Sequence, residues 1–71
     1  MNFAIHTPYI QLNQLLKASR LAESGGQAKL YIEEGRVKVN GQQESRIRAK
    51  LKPGDVVDFA GQKVVILAGE E

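Results

Sequence analysis

The run Ser24-Gly25-Gly26-Gln27-Ala28-Lys29-Leu30-Tyr31-Ile32-Glu33-Glu34-Gly35-Arg36-Val37-Lys38-Val39-Asn40-Gly41 carries enough punctuation to set the fold. Ser24 stands three residues before Gln27, the spacing at which a serine hydroxyl accepts from a helical N–H and a glutamine reaches back, so a helix is expected to begin here. Ala28, Tyr31 and Ile32 then fall on one face of it. Gly35 is its stop, because glycine takes the positive φ just past a helix end without a Cβ penalty. Glu33 and Glu34 lie against the negative end of the helix dipole, so dipole matching did not place them there. Val37-Lys38-Val39 alternates like a half-buried strand, and Asn40-Gly41 is the pair best suited to the left-handed angles of a tight hairpin turn.

Working outward, Leu12, Leu15 and Leu16 share one helical face and leave Asn13, Gln14 and Lys17 for solvent, which predicts a first helix docked on a core. Its start is open between Thr7-Pro8, an N-cap followed by proline at the first helical position, and about Gln11. Phe3 to Ile5 is expected to be a short strand. Downstream, Arg46 to Leu51 reads as an alternating strand, Pro53-Gly54-Asp55 as a turn and Val56 to Phe59 as a further strand, with a break at Gly61 before Lys63 to Leu67. The unbroken apolar run Val64-Val65-Ile66-Leu67 predicts a strand covered on both faces, with Phe3 to Ile5 as a candidate neighbour. No repeat, linker or low-complexity tract interrupts the chain. The expected fold class is α+β, two helices packed on a small, mostly antiparallel sheet.

Charge is distributed unevenly along this frame. Arg36, Lys38, Arg46, Arg48, Lys50 and Lys52 make up six of the ten Lys and Arg residues, and Glu44 is the only acid among them. Alternation would turn Val37, Val39, Ile47, Ala49 and Leu51 inward and line the cations along the opposite side as a positive sheet face. A field concentrated in this way neutralises several phosphates at once and releases their counterions. The net charge of +2 hides the asymmetry, since Glu23, Glu33, Glu34, Asp55, Asp58, Glu70 and Glu71 all lie outside the basic stretch.

Seventy-one residues make one small domain, 1–71, and a chain of this size buries only about 60% of the surface that its unfolded form exposes. With 42% hydrophobic and 25% charged residues the composition is globular, so disorder is expected only at the last few positions. The absence of cysteine leaves no disulfide framework, thiol nucleophile or thiolate metal site, and suits a reducing compartment. No apolar stretch approaches the roughly 20 residues that span a bilayer, and Met1 to His6 lacks the marks of a secretory leader. A cytoplasmic protein with no membrane role is expected.

The run from Ser24 to Gly41 resembles the RNA-binding module named after the fourth small-subunit ribosomal protein. That family's pattern is a serine-capped helix with an inward alanine and aliphatic residue, a glycine, a valine-rich strand and an Asn-Gly turn. Leu12, Leu15, Leu16 and Leu21 resemble its leucine-rich first helix, and Leu51-Lys52-Pro53-Gly54-Asp55 resembles its closing turn and strand, so the likeness spans about 12–59. The wording Ser-Gly-Gly-Gln-Ala-Lys is similar to that of the small stand-alone bacterial members. The resemblance implies the alpha-L arrangement of two helices on a small sheet, with RNA lying against the start of the second helix and the neighbouring hairpin. Ribosomal or transfer RNA is the implied class, and a ribosomal particle an implied partner. Ser24, Gly25, Gly26, Gln27, Lys29 and Lys38 are implicated, with Arg46, Arg48 and Lys50 on the following strand, while Arg36 and Lys52 complete the basic stretch. Many ribosomal members carry an arginine directly after the capping serine; Gly25 stands there instead, so the resemblance implies the loss of one phosphate or base contact of those members.

The same residues have a physical role of their own. A helix start presents unpaired N–H groups and the positive end of the dipole, and Gly25-Gly26 would admit a phosphate to the backbone with no side chain in the way. The competing reading is that Ser24 only caps and the glycines only relieve crowding, and it is weakened by the stability that glycines cost in a first turn and by Lys29 one turn later. Arg46 and Arg48 are the preferred affinity determinants, since a planar guanidinium fork matches phosphate oxygens. Lys50 and Lys52 taken alone could be edge protection. Of the aromatics Phe3, Tyr9, Tyr31 and Phe59, the latter two fall at core positions, leaving no evident stacking platform and favouring recognition of a folded RNA by shape. Lys17 and Arg20 either extend the basic surface or only complement the negative end of the first helix, and the second reading is preferred. His6 is alone, and Asp55 and Asp58 lack companions for a metal or a dyad, so no cofactor, metal or catalysis is expected. The expectation is thus a monomer that binds structured RNA, with a protein-interaction adaptor docking its basic face on an acidic partner as the alternative.

Overall fold

The computed structural model of the protein describes residues 1–69. In chain order its elements are β1 (Asn2–Ile5), β2 (Ile10–Gln11), α1 (Leu12–Ala18), α2 (Gly25–Glu33), β3 (Val37–Val39), β4 (Gln42–Gln43), β5 (Lys50–Leu51), β6 (Val56–Phe59) and β7 (Gln62–Ala68). Five strands form one sheet in the order β1-β7-β6-β3-β4, and β2 pairs with β5 in a separate two-stranded ribbon. The main sheet is antiparallel except where β1 runs parallel to β7, with Phe3 opposite Ile66. That pairing is the one expected for Phe3 to Ile5. None of the described helices is long and apolar enough to cross a membrane. The expected disorder at the chain's last few positions concerns in part Glu70 and Glu71, which lie outside the described residues.

Local chemistry explains α2 and the hairpin after it. Ser24 takes extended angles and its Oγ accepts from the Gln27 N–H at 3.1 Å. At the other end Gly35 sits at φ 75, its N–H donating to the Ile32 carbonyl while the Arg36 N–H donates to that of Tyr31. These two bonds are the Schellman pattern, which satisfies carbonyls that the helix itself leaves free. The side-chain amide of the exposed Gln43 lies where a Cβ on residue 35 would sit and could swing aside, so it is the positive φ that demands glycine there. Asn40 (φ 51) and Gly41 (φ 82) then reverse the chain into β4 with the left-handed pair of angles of a type I′ turn. Asn40 also laces this hairpin to the second turn: its Nδ2 donates to Asp55 Oδ1 and its Oδ1 accepts from the Val56 N–H. Asp55 Oδ2 in turn accepts from the Lys52 N–H at 2.8 Å, which is the turn role expected of it.

The core lies between the helices and one face of the main sheet. Leu12, Leu15, Leu16, Ala28, Ile32, Val37, Leu51, Val57, Val64 and Ile66 are all essentially inaccessible, and Tyr31, Val39 and Ile47 pack against them. The two rings Tyr31 and Phe59 meet at a centroid distance of 4.7 Å, tilted by 31°.

One open point is settled and two expectations are corrected. Of the two starts that the sequence left open for the first helix, the one at about Gln11 holds, because Ile10 and Gln11 are drawn into the ribbon with Leu51 and Lys50. Arg46 to Leu51 is not one strand: only Lys50–Leu51 is, and the residues before it form a turn. The cause is a demand from elsewhere in the chain. Helix α1 has no side-chain cap, and its first N–H groups take the carbonyls of Ala49 (from Leu12, 2.9 Å) and Ile47 (from Asn13, 3.0 Å), which removes those carbonyls from any ladder. Ile47, Ala49 and Leu51 still point inward, so the alternation was real without being a strand. Lastly, β7 is covered on one face alone, with Val64 and Ile66 buried and Leu67 40% exposed.

Candidate nucleic-acid interface

The start of α2 is open on its outer side. A Cβ built on Gly25 would meet nothing within 4 Å, and one on Gly26 would meet only Ser24 Oγ at 3.9 Å. Neither glycine has positive φ, and neither is crowded, so the fold does not require glycine at these two positions. Glycine in a helix costs about 1 kcal/mol relative to alanine, and the first turn of α2 carries two. Among the described residues the N–H groups of Gly25 and Gly26 have no acceptor. The Gln27 side chain does not close the opening: its Oε1 turns back to accept from the Glu23 N–H at 2.6 Å. Lys29, one turn later, is exposed. Two free donors, the positive end of a dipole and a nearby ammonium are the parts of an anion seat.

The six cations of the basic stretch do not share one sheet face, which corrects that expectation. Lys38 is on β3, opposite Asp58 of β6, and Asp58 is in turn opposite Lys63 of β7, so acid and base are interspersed on this outer face. Arg36 precedes β3, with its guanidinium 5.0 Å from the Tyr31 ring centroid, 5.5 Å from that of Phe59 and 3.4 Å from Glu34 Oε1. With Lys38, Asp58, Phe59, Ala60 and Gly61 it lines a depression of about 200 Å³. Arg46, Arg48, Lys50 and Lys52 instead belong to the turn and ribbon that hold the start of α1.

Within that second group the charges are not equally free. Arg46 grips Glu44 with its fork, Nε to Oε2 and NH2 to Oε1 both at 3.1 Å, and its backbone N–H donates to Oε2 at 3.0 Å. The hydrogen bonds from the Arg46 side chain, and then from its backbone, hold the Glu44 carboxyl at about 2, below the ordinary 4.5. Arg48, Lys50 and Lys52 are exposed and, among the described residues, have no carboxylate within 4 Å of their side-chain charges. Lys50 places its Nζ 4.9 Å from the centroid of the Tyr9 ring. Of the two arginines that the sequence singled out, Arg48 is thus the one whose guanidinium is left unpaired among the described residues. The structure also adds Tyr9 and Lys63, which charge clustering alone passes over because neither lies in the basic stretch.

The Glu44 pair predicts a pH dependence. A carboxyl depressed in the folded state contributes stability that is complete above its unfolded value of 4.5 and is lost as pH falls from there toward 2. The urea midpoint should drop across that window, and Glu44→Gln should flatten this part of the profile. The effect is small, since the Arg46 side chain is 78% exposed and solvent screens the pair.

Comparison with known proteins agrees with this architecture. The chain is similar to YbcJ of Escherichia coli (strain K12), 48% identical over 61 residues that cover 86% of this chain and 87% of that one. It is similar too to the solution structure of YbcJ from E. coli, which reveals an alpha-L motif involved in RNA binding, with a TM-score of 0.74 and 44% identity over 94% of this chain and 86% of that chain. The probable ribosome maturation protein RlbA of Bacillus subtilis (strain 168) is 41% identical over 58 residues, 82% of each chain. The model of the S4 domain matches residues 3–67, nearly the whole described structure, and the chain belongs to the S4 domain family.

Proposed function

We propose that this protein binds structured RNA of the ribosomal or transfer class, as a cytoplasmic monomer and without catalysis. Phosphates are seated on the Gly25 and Gly26 N–H groups beside Lys29, and on Arg48, Lys50 and Lys52. The observation that carries this reading is the glycine pair, which weakens the first turn of α2 and faces open space with no internal reason for either, beside the two N–H donors that the helix start leaves free. The alpha-L motif of YbcJ, involved in RNA binding, supports the ligand class, and the ribosome-maturation name of RlbA supports a ribosomal target. Helix α1, about 10 Å long at 1.5 Å per residue, connects the two contact groups: the basic turn holds its start and its end leads into α2. Phosphates arranged on a folded RNA suit such separated contacts better than a loose strand does.

Engagement of about three to five phosphates predicts a log–log slope of affinity against salt of about −2 to −4. Arg48→Ala should reduce its magnitude by about one and weaken binding to all hairpins alike, with little change in thermal stability. Titration of a hairpin RNA at several salt concentrations, followed by fluorescence anisotropy, provides both numbers. A flat salt dependence, or binding indifferent to Arg48→Ala, would remove phosphate contact as the mechanism and leave an acidic protein partner for the basic turn.

A further inference from the structure

We propose that Tyr9 and Lys50 form a seat for one unpaired nucleotide of the bound RNA, an inference that rests on the RNA-binding reading above. Tyr9 is 40% exposed, whereas Phe3 and Tyr31 are half-buried and Phe59 is buried. The backbone that carries the ring is restrained on both sides. Thr7 Oγ1 donates to the Tyr9 carbonyl at 2.8 Å, Pro8 restricts the backbone just before it, and Ile10 and Gln11 are paired in the ribbon just after it. Alternation in that ribbon sends Ile10 and Leu51 to the core and Gln11 and Lys50 outward, and Tyr9 shares the outward face with Gln11.

Beside the ring lies a depression of about 430 Å³ lined by Thr7, Pro8, Tyr9, Gln11 and Gln14. Its size falls in the range of about 300–1,000 Å³ typical of small-ligand clefts. Its chemistry suits a nucleobase: an aromatic surface to stack on, and two primary amides that each offer both a donor and an acceptor to a base edge. No acidic side chain lines it, and the Lys50 ammonium, which covers one face of the ring and does not line the depression, leaves the other face for the base and lies beside it for the same nucleotide's phosphate. Proline-rich peptides also dock on aromatic grooves, but such a segment brings no negative charge to answer Lys50. The ammonium therefore favours the nucleotide.

The experiment compares a hairpin RNA carrying one bulged 2-aminopurine with the same stem fully paired. The wild-type protein should prefer the bulged hairpin about tenfold, the scale of one base stacked on an aromatic ring, and should change the 2-aminopurine emission. Tyr9→Leu should abolish both the preference and the emission change, and Tyr9→Phe should keep them. Gln14→Ala, on the exposed side of α1, is a second variant, expected to cut the preference a few-fold, and thermal melts matching the wild type establish that each variant is folded. Equal wild-type affinity for the two hairpins, or a preference that survives Tyr9→Leu, would overturn the nucleotide seat while leaving general RNA binding intact. Failure of both hairpins to bind at low salt would instead sink the RNA-binding reading, and this seat with it.

Discussion

Gly25→Asp should leave the protein at least as stable as its parent and weaken its binding to RNA tenfold or more. Position 25 is the first residue of α2, and a Cβ there would meet nothing within 4 Å beyond its chain neighbours and the helix's own backbone. Replacing glycine relieves part of its entropic cost in a helix, and a carboxylate beside the positive end of the dipole adds about 0.3–1 kcal/mol of stability. The same carboxylate stands where the phosphate would approach, and the free donors of the first turn would then serve the protein's own anion. Stability and affinity should thus move in opposite directions. Urea unfolding and anisotropy titration of one preparation provide both values, and Gly25→Ala, which adds a methyl group but no charge, should fall between parent and Asp variant in affinity. If the glycines served only the fold, neither substitution would alter binding.

The second large effect is on folding. Ile32→Ala should destabilise the protein by about 2–5 kcal/mol, because Ile32 is fully buried on the inner face of α2 and its loss leaves a cavity against the leucines of α1. A domain of 71 residues has a total of only about 4–11 kcal/mol at the usual per-residue stability, so the alanine variant should be partly unfolded at 37 °C. Ile32→Val, which removes one methylene, should cost about 0.5–1.5 kcal/mol and keep RNA binding. The comparison, read from urea midpoints, distinguishes loss of packing from loss of contact with RNA. A midpoint for Ile32→Ala within experimental error of the parent would mean that α2 is not anchored through this residue.

How far the fold could be read from the chain depended on whether each signal was local. Ser24 with Gln27, Gly35 at a helix end and Asn40-Gly41 at a hairpin each answer to sterics and hydrogen bonds within a few residues, and each stands where expected. Arg46 to Ala49 failed for the opposite reason. Its alternation was correct, but its carbonyls were claimed by N–H groups of Leu12 and Asn13, more than thirty positions earlier, and no pattern inside the segment announces that. The apolar run of β7 likewise says nothing about whether a second layer exists to cover Val65 and Leu67. For the candidate site, the helix start was legible because capping residues and glycines are explicit in the sequence. The distribution of the cations was not, since it depends on the misread strand, and the Glu44–Arg46 pair depends on how the turn folds back. Tyr9 was passed over because counting aromatics does not reveal which ring the ribbon leaves exposed.

The most direct measurement is an amide nitrogen–proton correlation spectrum of the labelled protein, recorded during titration with a hairpin RNA. The Gly25 and Gly26 cross-peaks should move first among the glycines, together with Lys29 and the Arg48 to Lys52 segment, and all should saturate at one stoichiometry. Saturable RNA binding that shifts other residues and leaves the two glycine amides in place would contradict a phosphate seat at the start of α2.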